Sequence, residues 1–256
     1  MESSVEFCRI IPSMLYRGDR LVKGVVFGGH RDAGNPITTT RVYDSQGADE
    51  LLVLRIEPGS KPDDGKYLEQ MKTLARECSI PLCLGGGIEA LDDAQKLFDC
   101  GADKVFVSRA ARTNPALITQ IARRFGNQAV MVGLEIVRTN GRTLLYDSRA
   151  TAVIPDIGWL DHASRVVEAG AGELRLCSVG HEGTGKGLDL EAFGTLAGHV
   201  NVPIILEGGC KALEHLDVAL HAGCRNIALG SMLVFSDHNI IKIKAYLKNK
   251  GHRIRV

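Results

Sequence analysis

The chain has 256 residues, 45% of them hydrophobic, and sets 31 Lys and Arg against 30 Asp and Glu for a net charge of +1. That length buries a full core within one domain, and the balanced charge gives no case for nucleic acid or a membrane surface. No stretch approaches about 18 continuous apolar residues, the start MESSVEFCRIIP has no long apolar run of the leader type, and the seven cysteines include no C-x-x-C pair, so a cytoplasmic protein with reduced thiols is expected.

Phe7–Tyr16 (FCRIIPSMLY) reads as a first strand whose C-terminal end, around Ser13, Met14 and Leu15, is apolar. Two readings fit the basic stretch Arg17–Gly24, a mobile lid and a solvated hairpin. Asn35 and Pro36 read as the N-cap and first residue of a helix running to about Gln46. Glu50–Ile56 is the second strand. Arg55 lies near its C-terminal end, where a buried guanidinium needs partners or an anionic ligand. A turn-rich loop, Glu57–Gly65, leads to a helix over Lys66–Cys78. The third strand, Ile80–Leu84, stops at three glycines, and the fourth, Lys104–Val107, follows a helical stretch and Gly101-Ala102-Asp103.

Thr113-Asn114-Pro115 starts another helix by the same capping logic. In the fifth strand, Gln128–Val137, Glu135 near the C-terminal end is a general-base candidate. The bland alternative pairs it with Arg55 or Arg138. Thr139–Pro155 reads as irregular and Trp159–Ala169 as a helix. The sixth strand, Glu173–Val179, runs into the glycine-rich Gly180–Gly187, which suits ligand contact but lacks the Walker pattern. A helix over Asp189–Ala197, strands over Val202–Leu206 and Asn226–Leu229, the turn Gly230-Ser231 and a helix around Asn239–Lys248 complete the chain. The eight histidines are scattered and none pairs with a cysteine at ligand spacing, so neither a metal nor another cofactor is expected.

Part of this pattern occurs twice. Leu84–Ala111 and Leu206–Leu233 keep Gly86/Gly208, Gly87/Gly209, Ala90/Ala212, Leu91/Leu213 and Gly101/Gly223 in step at an offset of 122, and GADEL at 47–51 is echoed by GAGEL at 170–174. Duplicated halves follow, about 1–125 and 126–256. Alternating apolar strands and amphipathic helices predict a parallel sheet with helices outside it, and eight such units in this length predict an α/β fold, a single (β/α)8 TIM barrel. Ligands of that fold sit at the C-terminal ends of the strands, where both glycine pairs fall. Two such sites on opposite sides of one mouth suit a ligand with a phosphate at each end.

With these motifs in place, almost the whole chain resembles the cyclase subunit of imidazole glycerol phosphate synthase. The matching segments include RIIP (9–12), RLVKG (20–24), RDAGNP (31–36), GADEL (47–51), PLCLGGGI (81–88), GADKV (101–105), GAGEL (170–174), EGTGKGLDLE (182–191) and PII-x-x-GG (203–209). The resemblance implies a glutaminase partner in a heterodimer, docked on the N-terminal face of the barrel. Ammonia then passes through the barrel to a bisphosphorylated ligand at the other face. It also implies a ring of charged residues at the inlet, matched by Arg9, Glu50, Lys104 and Glu173 at the starts of the first, second, fourth and sixth strands. The bland reading of that ring is a stability role.

The ligand face departs from the family. The positions of its two catalytic aspartates hold Leu15 and Glu135, so acid–base work by paired carboxylates is impossible as written. Gly87, Ser108, Arg109, Gly208, Gly209, Gly230 and Ser231 match the ligand and phosphate contacts, with Ser108 and Arg109 replacing an Asn-Thr pair. The second-strand aspartate becomes Arg55, and polar residues after the sixth strand become Gly180 and His181. Glu207 replaces a serine and repels a phosphate unless a cation pairs with it. Leu15 and the segment GSMLVF (230–235) are similar to a paralogue branch associated with bacterial surface-polysaccharide synthesis. There the cyclase-like and glutaminase subunits supply ammonia to a separate enzyme that amidinates a sugar. The leading expectation is therefore a diverged ammonia-accepting subunit with a phosphorylated or sugar ligand. The alternatives are the ordinary cyclase of histidine biosynthesis and a non-catalytic activator of a glutaminase.

Overall fold

Eight apolar runs form parallel strands that close on themselves. The computed structural model describes residues 7–255; Met1–Glu6 and Val256, and with them the first half of the stretch read as lacking a leader, lie outside the described residues. The first half of the chain forms β1 (Arg9–Arg17), β2 (Arg20–Val25), β3 (Gly28–Gly34), α1 (Pro36–Ser45), β4 (Leu51–Arg55), α2 (Gly65–Arg76), β5 (Leu82–Gly85), α3 (Leu91–Asp99), β6 (Lys104–Val107), α4 (Arg109–Thr113) and α5 (Ala116–Phe125). The second half forms β7 (Val130–Thr139), β8 (Arg142–Asp147), β9 (Ala152–Ile154), α6 (Trp159–Glu168), β10 (Glu173–Ser178), α7 (Leu190–Ala197), β11 (Ile204–Glu207), α8 (Leu213–His221), β12 (Asn226–Leu229), α9 (Ser231–Val234) and α10 (Ile240–Asn249).

The parallel pairs run β1, β4, β5, β6, β7, β10, β11, β12, and β12 pairs with β1 to close the barrel. This is the expected (β/α)8 barrel. Successive strand side chains point to opposite faces, which is why the runs are apolar on both. One set, including Ile11, Leu52, Cys83, Phe106, Met131 and Ile205, fills the barrel interior. Its neighbours, such as Ile10, Leu51, Leu82 and Leu174, pack outward against the helices.

Several helix starts are those the sequence predicts. The Asn35 side chain accepts from the Ile37 and Thr38 amides at 3.0 and 3.1 Å, and Asn239 accepts from Lys242 at 2.8 Å. Such caps contribute about 1 kcal/mol each. Asn114 does not cap α5: Pro115 takes that position, while Asn114 ends the short α4, its amide bonded to the Ala110 carbonyl.

Of the two readings of Arg17–Gly24 the structure shows the hairpin: β1 runs on past the barrel rim and pairs antiparallel with β2, which pairs with β3. One loop assignment is corrected. Thr139–Pro155, read as irregular, repeats this arrangement, because β7 also overruns the rim and pairs antiparallel with β8, which pairs with β9. The two excursions meet over the mouth, where the Phe27 and Tyr146 rings lie 6.2 Å apart between centroids. Polar edge residues hid β3 and the second excursion from a reading based on apolar periodicity.

Candidate functional site

At the N-terminal face, the first residues of β1, β6 and β10 and the residue before β4 project to the barrel axis. They form a closed square of alternating charge. Arg9 bonds Glu50 at 3.0 Å and Glu173 at 2.8 Å, and Lys104 bonds the same two carboxylates at 2.8 and 2.7 Å. Arg9 Nε also donates to Asn226 Oδ1 at 2.7 Å. Burial pushes the Glu50 carboxyl up against the pull of Lys104. The remaining Glu50 oxygen, Oε1, is buried without a hydrogen-bond partner among the described residues. Above the square lies the apolar interior.

At the other face is a cavity of about 310 Å3, lined by residues from β1, β4, β6, β7 and β10 and by both excursions. Leu15 and Glu135 both reach it, so the positions of the expected acid–base pair share one mouth. Glu135 pairs with neither Arg55 nor Arg138. Arg138 is held by Asp189 at 2.8 Å and by Glu191. Arg55 is held by Glu57 at 2.7 Å and Asp64 at 3.0 Å, and stacks on Tyr67 with its guanidinium carbon 4.5 Å from the ring centroid. The residue that acts on Glu135 is Arg175. Burial pushes the Glu135 carboxyl up, while the Arg175 charge and the adjacent Ser148 pull it down. A carboxyl raised by burial in a cavity is a candidate proton carrier.

Arg175 escaped the sequence reading. It is 3% exposed, lines the cavity floor, and bonds Glu207 Oε2 at 2.6 Å. The signal was in the strand ELRLCS, where Arg175 shares the inward face of Glu173 by period two. Glu207 therefore has the cation it needs. Burial alone raises its pKa, but Arg175 and Lys23 reverse the effect and hold it at about 2. Lys23 was also missed; it is 2% exposed and lies 3.9 Å from Glu207.

The expected ligand residues divide into two groups. Gly87, Ser108 and Arg109 line the large cavity, with the missed Arg17, His30 and Arg149. Gly208, Gly209, Gly230 and Ser231 line a separate niche of about 20 Å3 with Lys23, Glu182 and Glu207. Of the glycine-rich segment 180–187, Glu182 and Gly183 face that niche and not the large cavity. The paired glycines have similar backbones, with φ of +109° and +76° at Gly86 and Gly87 and +104° and +90° at Gly208 and Gly209. A Cβ on Gly87 would stand 2.1 Å from the Ser60 carbonyl oxygen, so only glycine fits there.

All seven cysteines are free. The histidines are less scattered than the sequence suggests. Asp217, His221 and His252 cluster outside the mouth, where His252 Nε2 and Asp217 Oδ1 are 2.6 Å apart. This contact gives the trio a structural role as a clasp between α8 and the C-terminal segment. Among the described residues, no helix is long and apolar enough to cross a membrane.

The closed ring of eight parallel strands makes this a (β/α)8 barrel, a class whose active sites lie at the strand C-termini, where the large cavity is found. The profile of the family described as histidine biosynthesis protein matches residues 9–239. The chain is 38% identical over 247 residues to the imidazole glycerol phosphate synthase subunit HisF of Streptomyces coelicolor, covering 96% of this chain and 98% of that protein. It is 38% identical to the Chlorobaculum parvum subunit over 249 residues and 36% identical to the Pyrobaculum aerophilum subunit over 253, with 97% of this chain and 98% of each relative covered. The chain belongs to the histidine biosynthesis protein family and is homologous to its HisF cyclase subunits.

Proposed function

We propose that this chain is the ammonia-accepting barrel subunit of a glutamine amidotransferase and that its acceptor is not the histidine-pathway bisphosphate. A glutaminase docks on the N-terminal face, ammonia enters through Arg9, Glu50, Lys104 and Glu173, and an anionic phosphorylated or sugar ligand occupies the mouth. The observation that carries the proposal is the contrast between the faces: a complete charged ring at one, and at the other a cavity where the two expected aspartate positions hold Leu15 and Glu135. Acid–base work by the usual pair fails at Leu15, which can neither donate nor accept a proton.

The ring supports an inlet as well as a structural role. One ion pair must open for a molecule to pass, and the unpartnered Glu50 Oε1 is an acceptor for an N–H of ammonia. Beyond it the interior is apolar, which favours neutral ammonia over ammonium. Within the mouth, Glu135 is a carboxylate that can accept a proton, with the Arg175 guanidinium lining the same cavity.

The full-length identity of 36–38% favours a second reading, an ordinary cyclase working with one carboxylate. The deciding measurement is imidazole glycerol phosphate formation from the histidine-pathway bisphosphate with ammonium salt in excess, which bypasses any partner. No turnover by the folded chain is expected. Turnover near that of a HisF subunit would overturn the proposal and establish the second reading.

A further inference from the structure

We infer that the mouth takes an acceptor with one anionic group, seated by the first half of the barrel, because the corresponding seat in the second half is filled by the chain's own Lys23. This inference rests on the reading above that an anionic acceptor occupies the mouth.

The two glycine turns are alike in backbone and unlike in surroundings. The turn at Gly86-Gly87 opens onto the cavity of about 310 Å3; the turn at Gly208-Gly209 faces a niche of about 20 Å3. A niche of that size has room for about one water molecule and none for a phosphate. Its occupant comes from β2. The Lys23 Nζ lies 2.3 Å from the point that a Cβ on Gly230 would take, so the ammonium rests against the turn after β12. Glu207 holds it at 3.9 Å, and the charge of Glu182 also acts on it.

Charge excludes a ligand phosphate from this seat as firmly as volume does. Lys23 is matched there by Glu207 and Glu182, and the other Glu207 oxygen is taken by Arg175 at 2.6 Å. A phosphate would meet both carboxylates in a site removed from water. The hairpin also covers the niche. The Val26 amide donates to the Glu182 carbonyl at 3.0 Å and the Phe27 amide to its carboxylate at 3.2 Å.

On the first-half side the balance is reversed. Arg109 is exposed and lies 3.8 Å from Asp147, whose same oxygen is taken by Arg112 at 2.5 Å. Arg17 has no ion pair among the described residues, and it lines the same cavity. Arg17 and Arg109 thus bring positive charge to the cavity that Gly87 and Ser108 line, where arginines outnumber the carboxylates of Glu89 and Glu135.

Calorimetric titration with ribose 5-phosphate and ribulose 1,5-bisphosphate tests the inference. The two probes should bind with dissociation constants within about threefold of each other, and R109A should weaken both by about tenfold or more through loss of a charge-assisted contact. Arg109 is exposed, so the variant is expected to fold. A bisphosphate bound about thirtyfold tighter than the monophosphate would show a working second seat and overturn the inference while leaving an anionic acceptor in place. Unchanged binding in R109A would also overturn it. Failure of both probes to bind the folded wild-type chain would remove the anionic-acceptor reading and this inference together.

Discussion

Replacing Arg175 by methionine leaves Glu207 and Glu182 buried with only Lys23 between them. Replacing Glu207 by leucine strands Arg175 in the barrel interior. Either single change removes one partner of a buried pair, which costs about 3–5 kcal/mol. The double variant R175M/E207L removes both charges, leaves Lys23 with Glu182, and should be far less destabilised than the sum of the two. Denaturant unfolding of the four proteins measures the coupling, expected to be at least about 2 kcal/mol. Additivity within about 0.5 kcal/mol would show that the 2.6 Å contact contributes nothing as a pair. Much of the site was legible at this scale. Gly87, Ser108, Arg109 and Glu135 lie on the large cavity, and the four ring residues meet at the opposite face. Arg175 was readable from the inward period it shares with Glu173 but was passed over, whereas Lys23 was not legible, because a lone cation in a short strand looks the same in sequence whether it points to solvent or inward.

The two excursions turn a general barrel into a covered site. At Gly24, a Cβ would stand 2.1 Å from the Gly28 carbonyl oxygen, so the β2–β3 hairpin closes this tightly only without a side chain. G24A forces the strands apart, at a cost of about 1–3 kcal/mol if confined to the hairpin. The Val26 and Phe27 amides, bonded to Glu182 in the wild type, should then exchange with solvent about tenfold faster or more, while amides of the barrel strands stay unchanged. Equal loss of protection in the barrel would show that the hairpin is part of the cooperative core and not a separate cover. The barrel elements were readable because their apolar runs have the right length and α1, α2, α7 and α10 start at side-chain caps. The excursions were not, because β3 reads GGHRDAG, half exposed and glycine-rich, and follows a partner that supplies the pattern it lacks.

Across the whole molecule, charge is ordered along the barrel axis: a neutral square at the N-terminal face, an apolar middle, and free cations at the mouth. Lys104 tests what the square contributes. In K104M, Glu50 and Glu173 keep only Arg9, and Glu50 is 1% exposed, so about 3–5 kcal/mol of stability should be lost at pH 7. The pH dependence identifies the cause. Burial already raises the Glu50 pKa and Lys104 opposes it, so removing the lysine raises it further. The folded variant then holds a proton that the unfolded chain has released, and its stability falls as pH rises from the unfolded carboxylate value through the higher folded one. The deficit relative to wild type should therefore be smaller at pH 5 than at pH 7, as read from denaturant midpoints at the two pH values. A deficit that does not change with pH would place the loss in the packing of the lysine stem instead of its charge. The square could then be read as filler for the barrel's end, and the case for an ammonia inlet would rest on Glu50 Oε1 alone.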